Sequence, residues 1–294
     1  MQLLTPTPPA ELPAEALLAR LRCRRAAIDL AADQSAQTSP ADIVNWVYRR
    51  LNRRLRNRLT PFLDLLAMRD LVLSLRYTLA GELPPSTVLR SSLLAAPLLR
   101  LTATGDDAEK TVAQLEAALA GDYPFVSGLL SSYRRQGPGG IEQQLSEGIL
   151  QHGLAHPGSR FLTGALRYLV DMRNCLAIHK LWRWQVSLAP PLVAGGTIAT
   201  SRLRHIWATR DGDRLVRLVL HLTGEPCRAG KTMAMEQCLL KGMTRLMRQA
   251  GRDPLGLGVI IDYLWRAQLV THNQVLRQTL AVDREELLGE VLLL

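Results

Sequence analysis

The hexapeptide Leu75-Arg76-Tyr77-Thr78-Leu79-Ala80 returns as Leu276-Arg277-Gln278-Thr279-Leu280-Ala281, each copy lying at the end of a longer apolar stretch, residues 60–81 and 261–281. A third stretch, 165–184, fits between them. There Met172-Arg173-Asn174 answers Met68-Arg69-Asp70, and Lys180 follows Asn174 by six residues as Arg76 follows Asp70. A period of roughly 100 residues is too long for solenoid repeats. It constrains the chain to three related helical units, expected at 1–105, 106–190 and 191–294.

Composition agrees with a helical reading. A chain of 294 residues that is 47% apolar can bury the core of two or three domains. Aromatic residues make up only 5%, and Val and Ile are sparse beside Leu, Ala and Arg, a balance that favours helix over strand. The expected class is all-α. The formal net charge of +10 is carried mostly by arginine, so the surface must meet something acidic: nucleic acid, anionic lipid or a protein. Cys23, Cys175, Cys227 and Cys238 lack the paired spacing of a zinc site or a disulfide framework and read as reduced, cytosolic thiols.

The N-terminal segment has neither the basic start nor the apolar centre of a signal peptide. No window supplies the roughly 20 uninterrupted apolar residues that a membrane span needs; the most apolar, 61–83, is broken by Asp64, Arg69, Asp70 and Arg76. A membrane role would therefore be exercised from the surface, through a partner.

Local signals divide the helices. A basic helix is expected over Ala14 to Asp33, and another from the Ser39-Pro40 cap through Trp46 and Tyr48 into the arginines of 49–58. Thr60-Pro61 is expected to cap the first repeat helix and Gly81 to end it, with a short helix from Thr87 to Leu101 beyond. Gln136 to Gly140 reads as a linker. Thr197 or Thr200 is expected to cap the helix after the Gly195-Gly196 turn. Trp182, Trp184 and Trp265 read as packing residues.

Catalytic patterns are weak. Gly224 to Thr232 looks like a phosphate loop, but Glu225 stands where the motif needs glycine and Pro226 removes an amide donor, so Gly230 to Thr232 reads as a helix start. His152 and His156 are four apart with no completing ligand nearby in sequence, and read as surface or capping residues. The arginines of 49–58 with Trp46 and Tyr48 suit nucleic acid, yet their spacing is that of an amphipathic helix with a basic solvent face. No catalytic, cofactor or metal residue is expected. The polar residues inside the apolar repeats carry more weight: Asp70, Arg76, Asp171, Asn174, Lys180, Asn273 and Arg277. Buried charges are costly unless paired, so these residues either bond across each bundle and fix its register or line a surface that faces a partner.

In their order these motifs resemble the C-type central-stalk component of the archaeal and bacterial V/A-type ATP synthases, which is similar to its d-type counterpart in eukaryotic vacuolar ATPases. In that family each of three units carries an acidic residue, then Asn-Leu, then a basic residue about two helical turns on. Asp171-Met172-Arg173-Asn174-Cys175 with Lys180 resembles this pattern most closely. Ile141-Glu142-Gln143-Gln144-Leu145 looks like the helix before the middle copy, and Leu192-Val193-Ala194-Gly195-Gly196-Thr197-Ile198 like the double-glycine turn that opens the last unit. The resemblance runs from about residue 20 to the C-terminus. The first copy departs in having Asp70 for asparagine, and the third in having Gln268 and Thr271.

The resemblance implies a funnel of three pseudo-equivalent helical units on the cytoplasmic face of the membrane. It would sit on the rotor-ring proteolipid subunits, receive the central-stalk subunits, and pass torque between ion translocation and ATP synthesis or hydrolysis without catalysis or cofactor of its own. The basic surface would complement acidic ring loops or anionic lipid headgroups. The rival readings are a basic helical nucleic-acid-binding protein and an adaptor of similar fold in another membrane-anchored ATPase machine.

Overall fold

The computed structural model describes residues 2–31, 40–83, 92–103, 107–227 and 232–280, without the side chains of 26–31, 40–41, 232–233 and 270–280. Among these residues all regular structure is helical apart from one isolated antiparallel bridge between Leu4 and Leu94, as the composition led us to expect. The α-helices are α1 (Ala14–Ala31), α2 (Pro40–Tyr48), α3 (Arg53–Leu79), α4 (Ala96–Ala103), α5 (Ala108–Leu119), α6 (Leu129–Ala155), α7 (Arg160–Arg183), α8 (Thr200–Thr209), α9 (Gly212–Thr223), α10 (Thr232–Ala250) and α11 (Gly258–Leu280). A 3-10 turn, Pro124–Val126, precedes α6.

Two compact units emerge, one from Met1–Leu12 with Val44–Thr163, the other from Pro13–Ile43 with Gly164–Leu294. Their limits do not coincide with the boundaries expected near residues 105 and 190.

In the first unit the chain does not run as one helix from Pro40 to Arg58. It breaks after Tyr48, and Asn52 starts α3 by accepting a hydrogen bond from the Leu55 amide at 2.9 Å. Thr60-Pro61 is therefore not a cap: α3 runs straight through Pro61, and the Thr60 hydroxyl donates to the Arg56 carbonyl. An interior proline costs about 3 kcal/mol. Burying Leu55 and Leu59 in the two preceding turns returns about 1.5–3 kcal/mol each, enough to hold the helix across it. Gly81, at φ +75°, follows the α3 C-terminus as the sequence indicated. Helix α3 packs on α6, with α4 and α5 alongside.

The Gln136–Gly140 segment is a corner inside α6, not a linker. Gly137 takes φ +63°, open to glycine at little cost, and Pro138 pre-sets the first turn of the second arm. Gln144 ties the two sides together, accepting from the Ser132 hydroxyl at 2.6 Å and donating to the Phe125 carbonyl at 2.8 Å. Residues 92–95 are likewise not helical; Leu93 and Ala95 exchange backbone hydrogen bonds with Thr5 and Leu3. The part of that expected helix before Ser92 lies outside the described residues.

In the second unit Cys175 and Ile178 of α7 meet Leu203 and Ile206 of α8, Leu215 and Val219 of α9, and Leu239 of α10 in one buried cluster. The Tyr168 hydroxyl donates to the Leu239 carbonyl at 2.7 Å, fixing α7 on α10. Helix α11 packs between α10 and α1. Trp182 stacks on Trp207 at 6.0 Å, and Trp265 donates to the Thr244 hydroxyl. Trp184 departs from its expected packing role, being 66% exposed.

Candidate functional site

Helix α7 carries the best-matched repeat, and its two polar residues are wholly buried. Asp171 accepts from the Thr197 amide at 2.8 Å, from the Thr197 hydroxyl, and from the Ile198 amide at 3.1 Å. Asn174 makes a reciprocal pair with Val193, its amide donating to the carbonyl and its oxygen accepting from the N–H, each at 2.8 Å. The double-glycine turn makes the approach possible. Gly195 sits at φ +96°, and a Cβ on Gly196 would collide with the Asp171 carboxylate. Thr197 thus serves Asp171 and not the next helix. Thr200 does not cap it either: α8 is preceded by Ala199, which has no side-chain cap.

The other polar repeat residues divide. Asp70, on α3, is half-buried; burial raises its pKa, opposed by a hydrogen bond with Ser92 and by the charge of Arg69. Arg76 is exposed on the same helix and holds Glu142 of α6 with two contacts of 2.5 Å. Lys180 is half-buried near the C-terminal end of α7. Asn273 and Arg277 stand on α11, their side chains outside those described. Asp171 and Asn174 are therefore brought together on one loop, whereas Asp70 and Arg76 leave α3 toward different partners.

Two buried carboxylates were missed. Asp64 on α3 is 2% exposed, accepts from the Tyr123 hydroxyl at 3.2 Å through one oxygen, and has no partner for the other. Burial pushes its pKa up to about 6, against the lowering effect of Tyr123. Asp262 on α11 is fully buried and is held by Arg266 one turn on and by Arg25 of α1 at 3.1 Å. With Asp171 they make three lone aspartates, each flanked by apolar residues on both sides: Leu63-Asp64-Leu65, Val170-Asp171-Met172 and Ile261-Asp262-Tyr263. That flanking pattern was the signal.

Asp64 also borders a cavity of about 590 Å³ lined in part by Thr7, Arg56, Thr60, Tyr123 and His152. The Thr7 hydroxyl and Arg56 Nε are buried there without a hydrogen-bond partner. Arg56 itself is folded over the Tyr48 ring at 4.5 Å and donates to the carbonyls of Thr7 and Tyr48. Burial, and secondarily the neighbouring His156, depresses the His152 pKa. Asp64 beside this cavity therefore holds its proton to a higher pH than an ordinary carboxyl does.

The remaining motifs resolve into structural roles. Gly224 closes α9 and Glu225 pairs with Arg245, while residues 228–231 of the loop-like motif lie outside those described. His156 caps α6, its ring beside His152. Arg53, Arg54 and Arg58 form an exposed face, while Arg50 covers Trp46. Among the described residues no group of three His, Cys, Asp or Glu side chains is placed to hold a metal ion, and no helix is long and apolar enough to cross a membrane. Neither a family model nor a curated protein matches the chain.

Proposed function

We propose that this chain is a non-catalytic helical adaptor of a V/A-type rotary ATPase, joining the central stalk to the rotor-ring proteolipids on the cytoplasmic face of the membrane. The observation that carries this reading is the bond between Asp171-Asn174 and the turn at 193–198. Those two segments supplied the resemblance separately, and they prove to be the two halves of one contact. Two short motifs that resemble one family support each other when they are parts of one physical contact.

The contact also suits the task. A part that passes torque between an ion-driven ring and an ATP-driven head must resist deformation, and a buried network with every member satisfied stiffens what it joins. The all-helical body and the positive charge fit a peripheral part seated against acidic surfaces. Affinity purification of the chain from gently solubilised membranes is expected to recover ring proteolipids and stalk subunits. Recovery of neither would overturn the proposal. Salt-sensitive binding of nucleic acid with no protein partner would favour the basic nucleic-acid-binding alternative, and co-purification with a different ATPase would move the adaptor to that machine.

A further inference from the structure

Helix α9 buries Leu215, Leu218 and Val219, and along the flank of that buried face run Arg214, Arg217 and His221, spaced three and four residues apart. They meet Arg202 of α8 around a cavity of about 400 Å³ with Leu218 as its floor. Among the described residues no carboxylate lines it. Among the described residues none of the three guanidinium groups forms an ion pair. The nearby Asp211 is committed to the start of α9, accepting from the Arg214 amide at 2.8 Å. Three arginines and a histidine thus border one groove around the apolar Leu218, and their positive fields add there.

We propose that this groove is a phosphate-binding site for a phosphomonoester dianion. Guanidinium groups match phosphate oxygens in paired, planar hydrogen bonds, and one group on each side of a cleft can grip a tetrahedral anion where lysine would offer only point charge. A dianion suits three clustered cations better than the single charge of a diester. The phosphomonoester can be a soluble compound or the headgroup of a lipid such as phosphatidic acid. Phosphate recognition here does not depend on the adaptor role, so either can fail alone.

The test is titration calorimetry of the full chain with inorganic phosphate at constant ionic strength, alongside flotation with vesicles that contain phosphatidic acid or, at equal charge, phosphatidylglycerol. Saturable phosphate binding is expected, weakened about tenfold or more in the Arg214→Gln/Arg217→Gln variant. An Arg204→Gln/Arg248→Gln variant removes the same charge from exposed positions outside the groove and should bind as the parent does. Circular dichroism melts establish that each variant is folded. Arg202→Lys, which keeps charge and loses the fork, should weaken binding in between and serves if the double variant does not fold. Flotation with phosphatidic acid that free phosphate reverses assigns the source to lipid; binding of free phosphate without flotation assigns it to a soluble compound. Absence of binding in both arms overturns the proposal, as does equal weakening in the control variant or displacement by polyglutamate as effective as by phosphate.

Discussion

Asp64 and Asp171 are alike in residue type, in helical setting and in burial, yet the fold uses them in opposite ways. Asp171 receives three donors from one turn and leaves neither oxygen idle. Asp64 receives one phenol, keeps one oxygen unpartnered, and faces a cavity, so its charge is costly in the folded state and its pKa rises to about 6. A buried carboxylate becomes a fastening when backbone N–H groups converge on it, and a proton-binding group when they do not. The local chain decides between these outcomes. Two consecutive glycines bring the 193–198 backbone within reach of Asp171, whereas among the described residues only the Tyr123 hydroxyl donates to Asp64.

The sharpest way to break the contrast is Asp171→Ala. It leaves the Thr197 and Ile198 amides without their acceptor on a turn that is partly exposed, and we expect the urea midpoint at neutral pH to report a loss of about 3 kcal/mol, three hydrogen bonds at about 1 kcal/mol each. A loss under about 1 kcal/mol would mean that the turn reorganises and the fastening is not rigid.

Asp64→Asn addresses the other half. Because the folded pKa lies above the ordinary 3.8, the fold favours the protonated acid. Its stabilising contribution is complete below the unfolded value and is lost as pH rises through about 6. The shift corresponds to about 3 kcal/mol. The parent should therefore lose stability across that window relative to Asp64→Asn, whose own profile should be flatter by up to that amount. Parallel pH profiles of the two proteins would show that Asp64 does not titrate there. The smallest effect belongs to Arg76→Gln. Its pairing with Glu142 is exposed and screened, worth about 0.5 kcal/mol; a much larger loss would place Arg76 in a role beyond this pair.

The contact made by α7 was the most legible in the sequence, because the Asp171–Asn174 motif and the double-glycine turn lie only about twenty residues apart. The buried polar residues of α3 and α11 were harder to read. The sequence matches pointed to Asp70, Arg76 and Arg277, whereas the buried acids described on α3 and α11 are Asp64 and Asp262. Their partners Tyr123 and Arg25 come from remote segments, and such pairings leave no local trace in sequence. Local punctuation misled in a consistent direction. Pro61 and Gly137 read as ends of helices, and packing carried the helical path through one and round the other. The Thr197 hydroxyl, a natural cap by position, was taken by a buried carboxylate whose need for donors was greater.

The backbone passes from one compact unit to the other after Leu12, after Ile43 and after Thr163. No single cut in the gene therefore yields either body intact. A fragment ending at Thr163 keeps α1 but loses α11, against which α1 packs; its complement keeps Asp262 without Arg25. Producing one body by itself would call for grafting or circular permutation, and end-to-end fusion offers no route to exchanging either for a foreign module.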